Sequence, residues 1–157
     1  QHKTNFISII PASLYGPRDN YRDGESHIVP DLIKKLHNAK ISGLKKIIIS
    51  GNSKRKREMI YVDDVANACL FLMKNYSSSK PINAGYGEDF TVEEIAEKIK
   101  KIVGFEGEIE FDGSKPSGMI RKILGSSKIT SLGWKSQINF EEGLKKSYSW
   151  FLNNVFK

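Results

Sequence analysis

Cysteine is almost missing from this chain. Cys69 stands alone, which excludes an internal disulfide and fits a reducing compartment. Long apolar runs are missing too. None approaches the roughly 20 residues of a membrane span, and the opening QHKTNFISII lacks the charged and apolar regions of a signal peptide. A cytoplasmic protein away from the membrane is expected. Zinc-ligand spacings, a heptad basic region, repeats and low-complexity tracts are also absent. The one dense basic run, Lys54-Arg55-Lys56-Arg57, has no interleaved aromatics. Nucleic acid is therefore not the expected partner, although the net charge is +7. Acids are the scarce charge, 18 against 25 bases, and an anionic small molecule suits that balance.

What is present suits one compact domain, or half of a larger two-lobed protein, at 157 residues. The stretch from Pro11 to Pro30 is the most informative. Before it lies the apolar run Phe6 to Ile10, which reads as a buried strand over residues 5–10. After it an amphipathic helix starts at Ile28, with apolar positions 28, 29, 32, 33 and 36 on one face and Pro30 and Asp31 in its first turn. Between them Gly16-Pro17, Asp19-Asn20, Asp23-Gly24 and His27 read as a long turn-rich loop. In open α/β sheets such loops at strand ends carry ligand sites.

Further on, residues 45–50 and 57–62 read as extended. Asp63-Asp64 reads as the N-cap of a helix that packs through Val65, Ala68, Cys69, Leu72 and Met73. Residues 76–80 form a loop and 81–84 a short strand. Thr91-x-x-Glu94 is a capping box for a helix that runs to Val103 and stops at Gly104. Glu108 to Asp112 alternates as a strand, 113–118 is a loop, and helices over 127–132 and 140–156 close the chain. His37 reads as a favourable cation at a helix end, and Trp134 and Trp150 as packing for the last helices. Strands alternating with helices make the fold α/β.

Several motifs occur in fixed order. They are Pro11-Ala-Ser-Leu-Tyr-Gly-Pro17, Asp19-Asn20, Ser26-His27-Ile-Val-Pro30, Arg57-Glu58, Tyr61-Val-Asp-Asp-Val65 and Ile82-Asn-Ala-Gly85. Ser114-Lys-Pro-Ser-Gly118 with Arg121-Lys122, Leu132-Gly-Trp134 and Tyr148-x-Trp-Phe151 follow. Together they resemble the C-terminal half of the GDP-L-fucose synthases, a branch of the extended short-chain dehydrogenase/reductases. Those enzymes epimerise and then reduce a GDP-4-keto-6-deoxy sugar with NADPH. The resemblance covers essentially all of residues 1–157. It implies the substrate-binding half of such a protein, with the last strands and helices of the Rossmann domain. The NADP would be held largely by an absent N-terminal part, and the full-length protein is expected as a homodimer.

The departures from the pattern are Ala12-Ser13 for Thr-Asn, Ser50 for a tryptophan, Ser117 for an aspartate and Gly125 for another. Losing an aromatic wall and a carboxylate leaves a second GDP-keto sugar open, for example a GDP-heptose. A non-catalytic nucleotide-sugar-binding module is also open, because the hydride-transfer machinery is not found. Tyr76-Ser-Ser-Ser-Lys80 matches a Tyr-x-x-x-Lys pair in letters. Three serines followed by Pro81 make a poor helix, however, and without one the two side chains share no face.

By the resemblance, His27 is the acid of the epimerisation and also touches the cofactor. A loop histidine bonded to backbone is the plain alternative. Pro11, Ala12, Ser13 and Leu14 would line the nicotinamide with backbone groups. Arg57 would grip the GDP diphosphate, and Lys35, Ser50 and Ser117 fall on substrate positions. For Lys35 a solvated helix lysine is the alternative. Asp63 reads as a cap only and Cys69 as core. No metal ligands are expected.

Overall fold

The computed structural model describes residues 4–114 and 118–156, so the predicted substrate residue Ser117 lies outside the described residues. Strand β4, Lys56–Tyr61, is the centre of the largest sheet. Its last three residues pair in parallel with β2, Ser13–Tyr15. Its first three pair antiparallel with β6, Asp89–Thr91, and Lys56 and Arg57 also pair in parallel with β8, Arg121–Lys122. Two smaller parallel pairs complete the strands. β1, Ile9–Pro11, runs beside β5, Ile82–Ala84, and β3, Lys46–Ser50, runs beside β7, Glu108–Asp112. The α/β class is as expected.

Among the described residues five helices cover these strands: α1 Ile28–Ile41, α2 Val62–Asn75, α3 Val92–Val103, α4 Ser127–Ser131 and α5 Phe140–Asn154. The two-residue period of β4 divides the interior. Met59 and Tyr61 join the larger core, where Leu32, Ile33 and Leu36 of α1 meet Ile95 and Ile99 of α3 and Leu144 and Phe151 of α5. Ile60 points the other way, into a smaller core with Ala12, Leu72, Ile82, Ile129 and Trp134. Thr91 caps α3 with a complete capping box, and Gly104 ends it in the left-handed conformation with φ 72°.

Several expectations need correction. The strand expected over residues 5–10 is β1, which starts only at Ile9 and runs on to Pro11, and Phe6 is 81% exposed. The expected loop 11–30 contains β2. A β2 residue finds its register across β4, about 46 positions away in sequence, so local pattern cannot show it. Asp63-Asp64 do not cap α2. Its N-cap is Tyr61, and both aspartates lie in the first turn. Asp64 is buried and accepts from the backbone N–H groups of Gln137 (3.0 Å) and Ile138 (3.1 Å), so it fastens the approach to α5. Cys69 is half-buried, and Met73 is exposed.

His37 is not an exposed cation. It is buried, with Nδ1 2.9 Å from the Tyr148 hydroxyl and its ring edge-on to Phe151 and Phe156. Trp134 packs in the smaller core and donates to Asn67, while Trp150 stacks on Tyr21. Helix α2 ends at Asn75, so Tyr76 and Lys80 share no helix. The Tyr76 hydroxyl instead donates to the Lys80 carbonyl at 2.8 Å.

Candidate active site

The loop after β2 is held by its own polar groups and by one aromatic anchor. The Asp19 carboxylate accepts from the Asn20 N–H (2.8 Å), the Asn20 amide oxygen from the Arg22 N–H (2.9 Å), and Ser26 donates to the Arg22 carbonyl (2.6 Å). Tyr21 is buried against Trp150 and Phe151, and Lys34 of α1 donates to its carbonyl at 3.0 Å. Asn-Asp turn chemistry and one buried ring therefore deliver residue 27 to the start of α1. His27 is the N-cap of that helix, yet its ring makes no capping bond. The residue is exposed, and the ring has no hydrogen-bond partner among the described residues. Such an imidazole is available to a ligand.

His27 opens onto a cleft of about 380 Å³ lined by residues 12–19, Val62 and Lys122. Ala12, Ser13 and Leu14 are thus brought together with His27. Among the described residues, β2 pairs with β4 on one side only. Pro11 is not among the residues that line the cleft; it ends β1, in register with Ala84. Arg18, on the cleft wall, has φ 66° and is the only non-glycine residue with positive φ among the described residues. Such backbone strain is often kept at ligand sites.

The predicted substrate residues are spread more widely. Lys35 lines a separate hollow with Asn38, Lys46 and Ile48, and its amino group is paired with Asp31 at 2.8 Å. Ser50 is exposed at the end of β3, in register with Asp112. Arg57 does not line the cleft. It donates to the carbonyls of Lys56 (2.7 Å) and Met119 (2.9 Å). Burial, with the neighbouring Arg55 charge, holds its guanidinium below its usual value.

Glu58, Arg18 and Lys122 hold places that the sequence alone does not announce. Glu58 is buried and accepts from the backbone N–H groups of Gly87 and Leu124, each at 2.7 Å. It ties the turn after β5 to the segment after β8. An acid directly before the apolar end of β4, Met59 to Tyr61, was the available signal. For Lys122 the signal was weaker, because β8 exists only through its pairing with β4.

The model of the NAD dependent epimerase/dehydratase family matches residues 1–85. GDP-L-fucose synthase 1 of Arabidopsis thaliana is 42% identical over 155 residues, 99% of this chain and 48% of that protein. A GDP-L-fucose synthetase from Naegleria fowleri, solved with NADP bound, superposes with a TM-score of 0.88 at 33% identity, covering 96% of this chain and 46% of that one. A GDP-6-OMe-4-keto-L-xylo-heptose reductase from C. jejuni also gives 0.88, at 32% identity over 98% of this chain and 55% of that one. The chain spans about half the length of the curated relatives it matches.

Proposed function

Because this chain belongs to the NAD dependent epimerase/dehydratase family, we propose that residues 1–157 are the nucleotide-sugar-binding, C-terminal part of an NADP-dependent epimerase-reductase. Its reaction is the conversion of GDP-4-keto-6-deoxy-D-mannose to GDP-L-fucose. The observation that carries this reading is the union of residues 12–14 and His27 in one cleft, in a chain matched along 99% of its length by a GDP-L-fucose synthase.

The residues present fit a nicotinamide. The edge of β2 away from β4 offers backbone N–H and C=O groups, and Ala12 is buried with a side chain too small to block that edge. Pro11 to Leu14 and His27 would hold this end of NADP, and the remainder would bind an N-terminal part. When bound, the cofactor supplies the hydride for the keto carbon. This chain's own part is proton transfer and binding. The carbons flanking a 4-keto group are acidified by it, and inversion requires a proton to leave one face and return on the other. The His27 imidazole gives the returning proton. Lys35, Ser50, Arg57 and Ser117 serve the substrate side. Alone, the chain lacks hydride-transfer machinery and is inactive. The full-length protein is a cytoplasmic homodimer that binds neither nucleic acid nor membrane. Among the described residues no helix is long and apolar enough to cross a membrane.

Reduction of a GDP-keto-heptose is the second reading. It is favoured by Ser50, where the synthases carry tryptophan, and by the heptose reductase likeness. Profiling NADPH consumption by the full-length protein separates the two. Turnover of GDP-4-keto-6-deoxy-D-mannose above the heptose ketones supports the first, and the reverse order supports the second. Turnover of UDP-sugar ketones alone would sink both.

A further inference from the structure

We propose that Lys34 is a positioning residue for the proton return. It clamps the loop between His27 and residues 16–19, and so sets the gap between those two sides of the cleft. The proposal rests on the reading of this chain as part of an epimerase-reductase.

His27 and residues 16–19 line one cleft, but residues 20–26 between them do not. The chain leaves the cleft and returns to it. That excursion is tied closed within itself. The Asn20 N–H donates to the Asp19 carboxylate, the Arg22 N–H to the Asn20 amide oxygen, and the Ser26 hydroxyl to the Arg22 carbonyl. Such bonds keep the loop's shape but not its place, because none of them leaves the loop.

Its place comes from two fastenings. One is apolar, the Tyr21 ring against Trp150 and Phe151 of α5. The other is the Lys34 ammonium, which donates to the Tyr21 carbonyl at 3.0 Å and to the Asp23 carboxylate at 2.8 Å. Among the described residues, every hydrogen bond from residues 20–26 to the rest of the fold is made to Lys34. The lysine stands about two turns beyond His27, which puts both on one side of α1. Its side chain is 26% exposed, against 49% for its neighbour Lys35, as suits a fastening more than a solvated charge.

Behind the loop lies a hollow of about 510 Å³, lined by residues 19–23, Lys34 and Val155. Asp19 lines both this hollow and the cleft, so the wall between them is thin. A wall with a hollow at its back depends on its fastenings. Without the ammonium the loop keeps its internal bonds and pivots on Tyr21, which shifts residues 16–19 against His27. A misplacement of about 1 Å is enough to cost a positioned reaction about a hundredfold. The hydride comes from a cofactor held at residues 11–14, upstream of the loop, so the loss falls on inversion before reduction.

The test gives the full-length protein GDP-4-keto-6-deoxy-D-mannose and NADPH, and reads the ratio of inverted to uninverted reduced sugar. Unfolded molecules make neither product, so a merely structural loss leaves the ratio alone. Lys34→Met is expected to lower it about tenfold or more, with KM kept within about twofold. Lys34→Arg, which keeps charged N–H donors, should restore most of it. Lys146→Met removes an ion pair within α5 and should leave the ratio at the parent's value.

A parent ratio kept by Lys34→Met, or inversion and reduction lost in equal measure, would overturn the positioning role while the epimerase-reductase reading stands. A ratio as low in Lys34→Arg as in Lys34→Met would overturn the clamp as its cause. A parent that yields no inverted sugar would overturn the epimerase reading, and the proposal would fall with it.

Discussion

Glu58 is a buried carboxylate in β4, and both of its oxygens are in use. Room for it comes from Gly85. A Cβ there would overlap the Glu58 Oε1 and sit 2.6 Å from the Ser126 Oγ. Gly85→Ala must therefore displace the carboxylate and strip the Gly87 and Leu124 N–H groups of their acceptor. Overpacking plus unsatisfied buried donors should cost about 2–4 kcal/mol. Gly113 is the matched control, since a methyl group added there would meet no atom within 4 Å. Gly113→Ala should stay within about 0.5 kcal/mol. Urea unfolding of the two variants checks this, and equal midpoints would contradict it. The resemblance named His27 and residues 12–14 from two short motifs on either side of one loop, and the cleft brings them together. Lys122 also lies inside a motif, but its place on the cleft wall was not legible, since it depends on the β4–β8 register.

Among the elements, α3 was the most legible. Its capping box, apolar stripe and terminal glycine are all local, and Thr91, Glu94 and Gly104 stand where they were expected. Strands β2, β6 and β8 were not legible, being two or three residues long and defined by their neighbour β4. The surroundings of His37 escape local pattern in the same way. That residue is covered by α5, more than a hundred residues later, and Tyr148, Phe151 and Phe156 enclose it. Its Nε2 is buried without a partner among the described residues, so a proton there would leave a buried N–H unpaired.

Burial, then the charge of Lys40, lowers the pKa of this imidazole from its ordinary 6.5. The unfolded chain thus binds the proton more readily than the folded one between the lowered value and 6.5. The stability contributed by neutral His37 is full above that ordinary value. It is lost progressively as pH falls below it, until the folded imidazole also protonates. Melting curves between about pH 8 and pH 5 should show a larger loss for the parent than for His37→Phe, which keeps an aromatic ring in the box. Parallel losses would contradict the docking of α5 on a neutral imidazole.

At the scale of the whole molecule, two cores divided by β4 hold a single cleft wall in place. The larger core fixes α1 and therefore His27. The smaller one holds Ala12 and the strands beside it. The α/β class was legible from alternation. The division into two cores was not, because it follows from β4 sending Met59 and Tyr61 to one side and Ile60 to the other. Fixing His27 against β2 is what the proposed chemistry needs, since proton return and hydride delivery must reach adjacent carbons of one sugar.

The most direct measurement is therefore solvent-deuterium incorporation by the full-length protein turning over GDP-4-keto-6-deoxy-D-mannose, with and without His27→Asn. The parent should place deuterium at the carbons flanking the keto group and yield inverted product. His27→Asn should lose inversion by about a hundredfold or more while GDP affinity is kept. Inversion by His27→Asn at the parent's rate would contradict the assignment of His27, and a parent that exchanges no deuterium would contradict the epimerase reading itself.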